Sequence, residues 1–165
     1  MAIDYTRRPS AAAGPTPGGV NLSKVSLTKQ APTVSLTKPG QQQGAMRVNL
    51  NWSRGQQKAG FLAKLAGGDL DLGCLYELSN GDKGVVQALG NAFGSLHGAP
   101  HIQLDGDDRT GSAVGGENMH IDLSQPQAFK RILIFAMIYE GAPNWAAVDG
   151  VVTLFPTAGP QGEVK

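Results

Sequence analysis

The sequence predicts an all-β protein: an antiparallel two-sheet β-sandwich with a flexible N-terminal tail. Three observations carry this reading. Several short segments alternate apolar and polar side chains with a period of two, the pattern of a strand with one buried face. Turn-forming residues separate those segments, with 23 glycines and 10 prolines in 165 residues. No long segment has the apolar period of a convincing helix. The length suits one domain with a real core.

Residues 1–19 are rich in Ala, Pro and Gly and nearly devoid of large apolar side chains. Such a composition buries too little surface to offset the entropy of ordering, so a disordered tail is expected, with the folded domain over 20–165. Val25-Ser26-Leu27-Thr28-Lys29 recurs as Val34-Ser35-Leu36-Thr37-Lys38. Two copies do not make a solenoid, so one is expected as linker and one as a first strand. From Met46, the residues Met46, Val48, Leu50 and Trp52 point one way and Arg47, Asn49 and Asn51 the other, which predicts a half-buried strand. In Gln57–Gly68, Phe61, Leu62 and Leu65 can share a helical face between Lys58 and Lys64, but the glycines keep it short. A long loop or single helical turn is expected. Its apolar residues between lysines suit contact with a protein partner or membrane surface, and a loop folded over the sheet is the equal alternative.

Alternation resumes at Asp69–Leu78, with Leu70, Leu72, Cys74, Tyr76 and Leu78 on one side and Asp69, Asp71 and Glu77 on the other. Ser79-Asn80-Gly81-Asp82 signals a turn, and Val85–Leu89 a return strand, hence a hairpin. Ile102 and Leu104 predict a short strand; Met119, Ile121 and Leu123 predict another. Lys130–Glu140 is almost continuously apolar and rich in Ile and aromatics. A central strand buried on both faces is expected, with a helix as the alternative. Val151–Phe155 predicts the next strand, ended by Pro156.

The net charge is +1 and charged residues are few. No basic stripe matches phosphates, which argues against nucleic acid as the main partner. The single cysteine, Cys74, excludes an internal disulfide and fits a reducing compartment. No apolar run reaches the roughly 20 residues of a membrane-spanning helix. Arg7 and Arg8 are followed by Pro, Ser, Ala and Gly rather than an apolar signal core, so a cytoplasmic location is the expectation.

The chemistry concentrates in acidic residues. Leu104-Asp105-Gly106-Asp107-Asp108-Arg109-Thr110-Gly111 carries three carboxylates within four positions, Glu117 follows, and Asp69 and Asp71 stand upstream. These six are nearly half of the 13 acidic residues. Like charges held close call for water or a cation, and hard oxygen ligands on glycine-shaped backbone suit calcium. Asp105 and Asp107 begin like an EF-hand loop, but Arg109, Thr110 and Gly116 break that pattern, and the flanks are strands. Asp69 and Asp71, two apart on a strand, lie on one face about 7 Å apart, close enough to grip one or two cations together with a loop. They interrupt an apolar strand, where unpaired carboxylates are costly.

Three phrases, Asp-Leu-Asp-Leu-Gly-Cys-Leu-Tyr-Glu-Leu (69–78), Leu-Asp-Gly-Asp-Asp-Arg-Thr-Gly (104–111) and Gly-Glu-Asn-Met-His-Ile-Asp-Leu (116–123), resemble the tellurium-resistance TerD-type domain family. Val-Val-Gln-Ala-Leu-Gly-Asn (85–91) and Ile-Tyr-Glu-Gly-Ala-Pro-Asn-Trp-Ala (138–146) resemble its TerA-like branch most closely. The resemblance covers about residues 20–165. It implies a calcium-binding β-sandwich in a bacterial cytoplasmic stress-response system, acting with other tellurium-resistance proteins, some membrane-bound. The family's loop usually ends in Gly-Asp-Asp-Glu; the matching Val114-Gly115-Gly116-Glu117 keeps only Glu117, so a site for two ions is expected to hold one here, or the second weakly. Many members continue into a further strand pair and a terminal helix, so a fragment or a differently covered sheet edge is expected.

The expected side-chain ligands are Asp69, Asp71, Asp107, Asp108 and Glu117, with Asp105 as a further candidate and backbone carbonyls of Thr110 and Gly115 completing the shell. His97 and His101 are separated by Gly98, Ala99 and Pro100, which break a helix, so loop histidines are expected rather than zinc ligands. His120 alternates outward. Cys74 is expected to be a buried, poorly ionised apolar residue. No nucleophile elbow or phosphate-binding loop is present. A non-enzymatic calcium module is the reading. A metal-dependent enzyme with an open coordination position, or an interaction domain without functional metal, stays open as an alternative.

Overall fold

The alternation that begins at Met46 forms β2 (Ala45–Arg54). Met46, Val48, Leu50 and Trp52 are buried, as the period of two requires. In the computed structural model the described residues are 24–35, 40, 42–54, 69–106, 115–141, 144–145, 148–157 and 161–164. The tail and Phe61, Leu62, Leu65, Asp107, Asp108 and Thr110 lie outside them.

Strand β2 is central in the larger sheet. It pairs antiparallel with β7 (Glu117–Asp122) and with β9 (Val148–Phe155). Beyond β7 lie β6 (Ile102–Leu104) and β5 (Gly94–Ser95). Beyond β9 lie β10 (Gln161–Val164) and β1 (Lys24–Ser26), the latter two parallel. The smaller sheet runs β4 (Lys83–Val86), β3 (Asp69–Leu78), β8 (Phe129–Glu140), all antiparallel. The sheets share one core. Leu70, Leu72, Cys74 and Val86 from the smaller sheet meet Val48, Leu50, Ile102, Leu104, Met119 and Ile121 from the larger. The fold is all-β, with two antiparallel-rich sheets packed as a sandwich. Among the described residues no helix is long and apolar enough to cross a membrane.

The predicted β3–β4 hairpin is present. Leu78 N–H donates to Asp82 O (2.8 Å) and Gly81 N–H to Leu78 O (3.0 Å). The return strand is shorter than expected, ending at Val86 rather than Leu89, and Leu89–Asn91 forms a 3-10 turn instead. Strand β4 therefore pairs with β3 only from Cys74 to Glu77. This leaves the β4-side flank of Asp69–Gly73 to be met by other groups, which decides where the site lies.

Two further expectations need correction. Strand β8 is neither central nor buried on both faces: among the described residues it is the last strand of its sheet, and Leu133 is 60% exposed. Its apolar run has two separate causes. Ile132, Ile134 and Ala136 pack on the core. On the outer face, Phe135 lies over Gly73, its partner in register, where any Cβ would overlap the ring. The polar face of β2 is also not simply solvated. Asn49 is buried, and its amide donates to the carbonyls of Gly115 and Glu117 (3.2 Å to the latter) and to Asn118 Oδ1 (3.0 Å). Of the repeat, the first copy enters β1 and continues in Leu27 N–H donating to Glu163 O (2.9 Å), while Val34–Ser35 has no regular structure.

Glu77 anchors the far end of the small sheet. Lys130 Nζ donates to its Oε1 (2.9 Å) and Arg131 Nε to its Oε2 (2.7 Å). The Lys130 hydrogen bond, then those of Arg131, hold the Glu77 carboxyl below its ordinary range against the opposing effect of burial. A carboxyl whose folded pKa is depressed stabilises the native state above its unfolded pKa, and that contribution is lost as pH falls through the folded value. Glu77→Gln is therefore expected to flatten the acid limb of the stability–pH curve, measured by urea unfolding from neutral pH downward, leaving the alkaline limb unchanged.

Candidate metal centre

The predicted strand face that carries Asp69 and Asp71 is closed over rather than solvated. Asp69 is 7% and Asp71 4% exposed. Both line a cavity of about 240 Å³ together with Ala88, Leu89, Gly90, Asn91 and Tyr139. The 3-10 turn reaches this place because β4 stops at Val86, and Tyr139 because the β3–β8 register shifts between Asp69 and Leu70. Asp69 stands opposite Glu140 and Leu70 opposite Ile138, so Tyr139 is the extra residue of a bulge. The register also sets two acidic residues, Asp69 and Glu140, directly across from one another, an unfavourable like-charge pairing.

Another buried carboxylate, not among the residues that line this cavity, comes from the other sheet. Glu117 is the first residue of β7 and points between the sheets at 3% exposure. Its Oε2 accepts the Leu72 backbone N–H at 2.7 Å. It thus occupies the flank of β3 that β4 leaves open, immediately after Asp71. Gly116 positions it: φ is +68° and a Cβ there would overlap the Leu50 carbonyl oxygen, so only glycine lets β7 enter so close to β2.

Other residues named from sequence go elsewhere. Asp105 faces the outside of the larger sheet, its Oδ2 3.0 Å from His120 Nε2. The Gly115 carbonyl accepts the Asn49 amide. Among the described residues no group of three or more acidic, histidine or cysteine side chains is placed to hold a metal ion. The residues 107–114, with Asp107, Asp108 and Thr110, connect β6 to β7. Their described flanks are fixed at the Glu117 end of the sheet, where Asp105 N–H donates to Asn118 O (2.9 Å). The cavity residues of the 88–91 turn and Tyr139 escaped the sequence reading. Their available signals were Gly90-Asn91, both with positive φ, and the bulge, which no local pattern announces.

Burial pushes the Cys74 thiol up to about 12, so it stays protonated at neutral pH. His101 lies in a connection, with Nδ1 3.4 Å from Leu96 O. The Asp122 carboxyl is held below its ordinary range by its hydrogen bonds to Ser124, with His101 and His97 adding at longer range.

The two carboxylates that line this cavity, Asp69 and Asp71, are hard oxygen donors of the kind a calcium ion takes. No family model matches the chain. Among curated proteins, the tellurium resistance protein TerA of Alcaligenes sp is 51% identical over 139 residues, an alignment spanning 82% of this chain and 41% of that protein. The chain thus matches less than half the length of this relative. The identity over most of the chain, together with the two-sheet architecture, establishes that the chain belongs to the Ter family of tellurium-resistance domains.

Proposed function

We propose that this chain is a calcium-binding, non-enzymatic stress-response module of a bacterial tellurium-resistance system. The tellurium-resistance role follows from the relative's name and the extent of identity. The observation that carries the calcium reading is the pair Asp69 and Asp71, buried together on one cavity, with Glu117 crossing between the sheets onto the adjoining Leu72 N–H. Asp69, Asp71 and Glu117 would hold the ion with Asp107, Asp108 and the Thr110 carbonyl from the connecting segment. Asp105 and the Gly115 carbonyl also have partners of their own, His120 and Asn49. One or two ions are compatible with this donor set. Bound calcium would neutralise the acidic cluster and tie the two sheets together, so binding energy adds to folding energy.

Asp108→Asn tests this. It keeps size and one oxygen but removes the charge. The calcium-induced rise in melting temperature is expected to shrink, while in calcium-free buffer the change is neutral or mildly stabilising because repulsion falls. A solvated acidic turn would respond weakly in both buffers. A carboxylate that only caps backbone N–H groups would destabilise equally in both.

On this reading the module works in the cytoplasm through other tellurium-resistance proteins, some at the membrane. Phe61, Leu62 and Leu65 are the proposed contact residues for such a partner. Phe61→Ser with Leu62→Ser is expected to abolish partner capture with an unchanged melting temperature. Lost stability with capture intact would instead assign these residues to the domain's own packing.

A further inference from the structure

Strand β8 carries the longest apolar run in the chain. Among the described residues it is paired on one side only, by β3. Its middle, Ile132–Tyr139, contains no charge, proline or glycine. Sheet edges are normally blunted by such residues, and an unprotected run of this composition is prone to uncontrolled strand addition. Its outer face is apolar as well. Leu133 and its partner in register, Leu75, are 60% and 47% exposed, and Phe135 and Met137 continue the row towards Tyr139.

Charges stand only at the two ends of β8 and have opposite signs: Lys130 and Arg131 at the start, Glu140 at the finish. A strand with that distribution is complementary to itself when reversed. The register centred on Phe135 sets Lys130 against Glu140 of a second copy and Leu133 against its Met137. A parallel arrangement would place like charges together at both ends. We propose that β8 pairs with β8 of a second copy, antiparallel across a two-fold axis, joining two three-stranded sheets into one continuous six-stranded sheet. Such an isologous interface uses each edge once and closes at the dimer, which removes the open template.

The test is sedimentation velocity of the full chain over a wide concentration range, in calcium-free buffer so that the outcome does not depend on the metal reading. The wild type is expected at twice the 17.2 kDa chain mass. Leu133→Lys, at a largely exposed position, is expected to weaken the dimer about tenfold or more, with an unchanged unfolding curve. Glu140→Lys, which sets like charges against Lys130 of the other copy, is expected to act in the same direction. Leu133→Cys combined with Met137→Cys is expected to give a covalent dimer on oxidation, and neither single variant is. A wild type that stays monomeric throughout, as it would if another stretch of a longer polypeptide covered the edge, overturns the proposal. So does a dimer that is unaffected by both charge variants.

Discussion

Glu117→Ala is expected to lower stability in calcium-free buffer by about 2 kcal/mol, and Glu117→Gln by less than about 1 kcal/mol. The Glu117 carboxylate accepts the Leu72 N–H at 2.7 Å, and Leu72 is fully buried. Alanine removes the acceptor and leaves a backbone donor without water or a strand partner on that flank, and such a group carries its full desolvation cost. Glutamine keeps an oxygen at the same reach, so the bridge between β7 and β3 survives without its charge. The two variants separate architecture from ion binding. Both are expected to reduce the calcium response, but only alanine should move the urea midpoint appreciably when calcium is absent. Equal midpoints for the two would show that the bridge does not depend on the hydrogen bond.

Gly116→Ala is expected to cost about 3 kcal/mol or more, whereas Gly115→Ala costs roughly 1–2 kcal/mol. Both glycines have positive φ, so both variants incur backbone strain. They differ in space: a Cβ on Gly115 meets nothing within 4 Å, while one on Gly116 overlaps the Leu50 carbonyl oxygen. Backbone cannot step aside as a side chain can. Leu50 pairs with Glu117 at the end of the β2–β7 ladder, so relief would spread those strands and carry Glu117 away from Leu72. The variant is therefore expected to lose calcium response along with stability. Paired urea curves for Gly115→Ala and Gly116→Ala, with and without calcium, check both statements.

The alternation in 46–52, 69–78 and 119–121 was enough to place β2, β3 and β7 and their buried faces, because one face of each meets the shared core. Strand β8 was legible as a strand but not in position. An apolar run reads the same whether its second face is covered by another layer or merely shields Gly73 with Phe135, and only the sheet order distinguishes these. Strands β5 (Gly-Ser) and β10 (Gln-Gly-Glu-Val) hold a single large apolar residue between them, so no alternation emerges there. At the candidate site, Asp69 and Asp71 were recognisable as carboxylates out of place in an apolar strand, and Glu117 as the acidic residue shortly after the acidic loop. That Glu117 would reach across the sandwich to Leu72 depends on where β4 stops, and that Asp105 would turn to His120 depends on the β6–β7 register. Neither is a property of local sequence.

Calcium binding is the central claim, and titration calorimetry of the full chain with calcium tests it most directly. The wild type is expected to give a saturable isotherm for one or two ions. Asp71→Asn, which removes charge from the buried cavity, is expected to weaken it at least about tenfold, and magnesium to substitute poorly because it demands a tight octahedral shell and releases water reluctantly. At calcium a hundredfold above its dissociation constant, stability should rise by about 2.7 kcal/mol. A wild-type chain that gives no calcium heat and no calcium-dependent stabilisation, or that responds equally to magnesium and is indifferent to Asp71→Asn, would contradict the account.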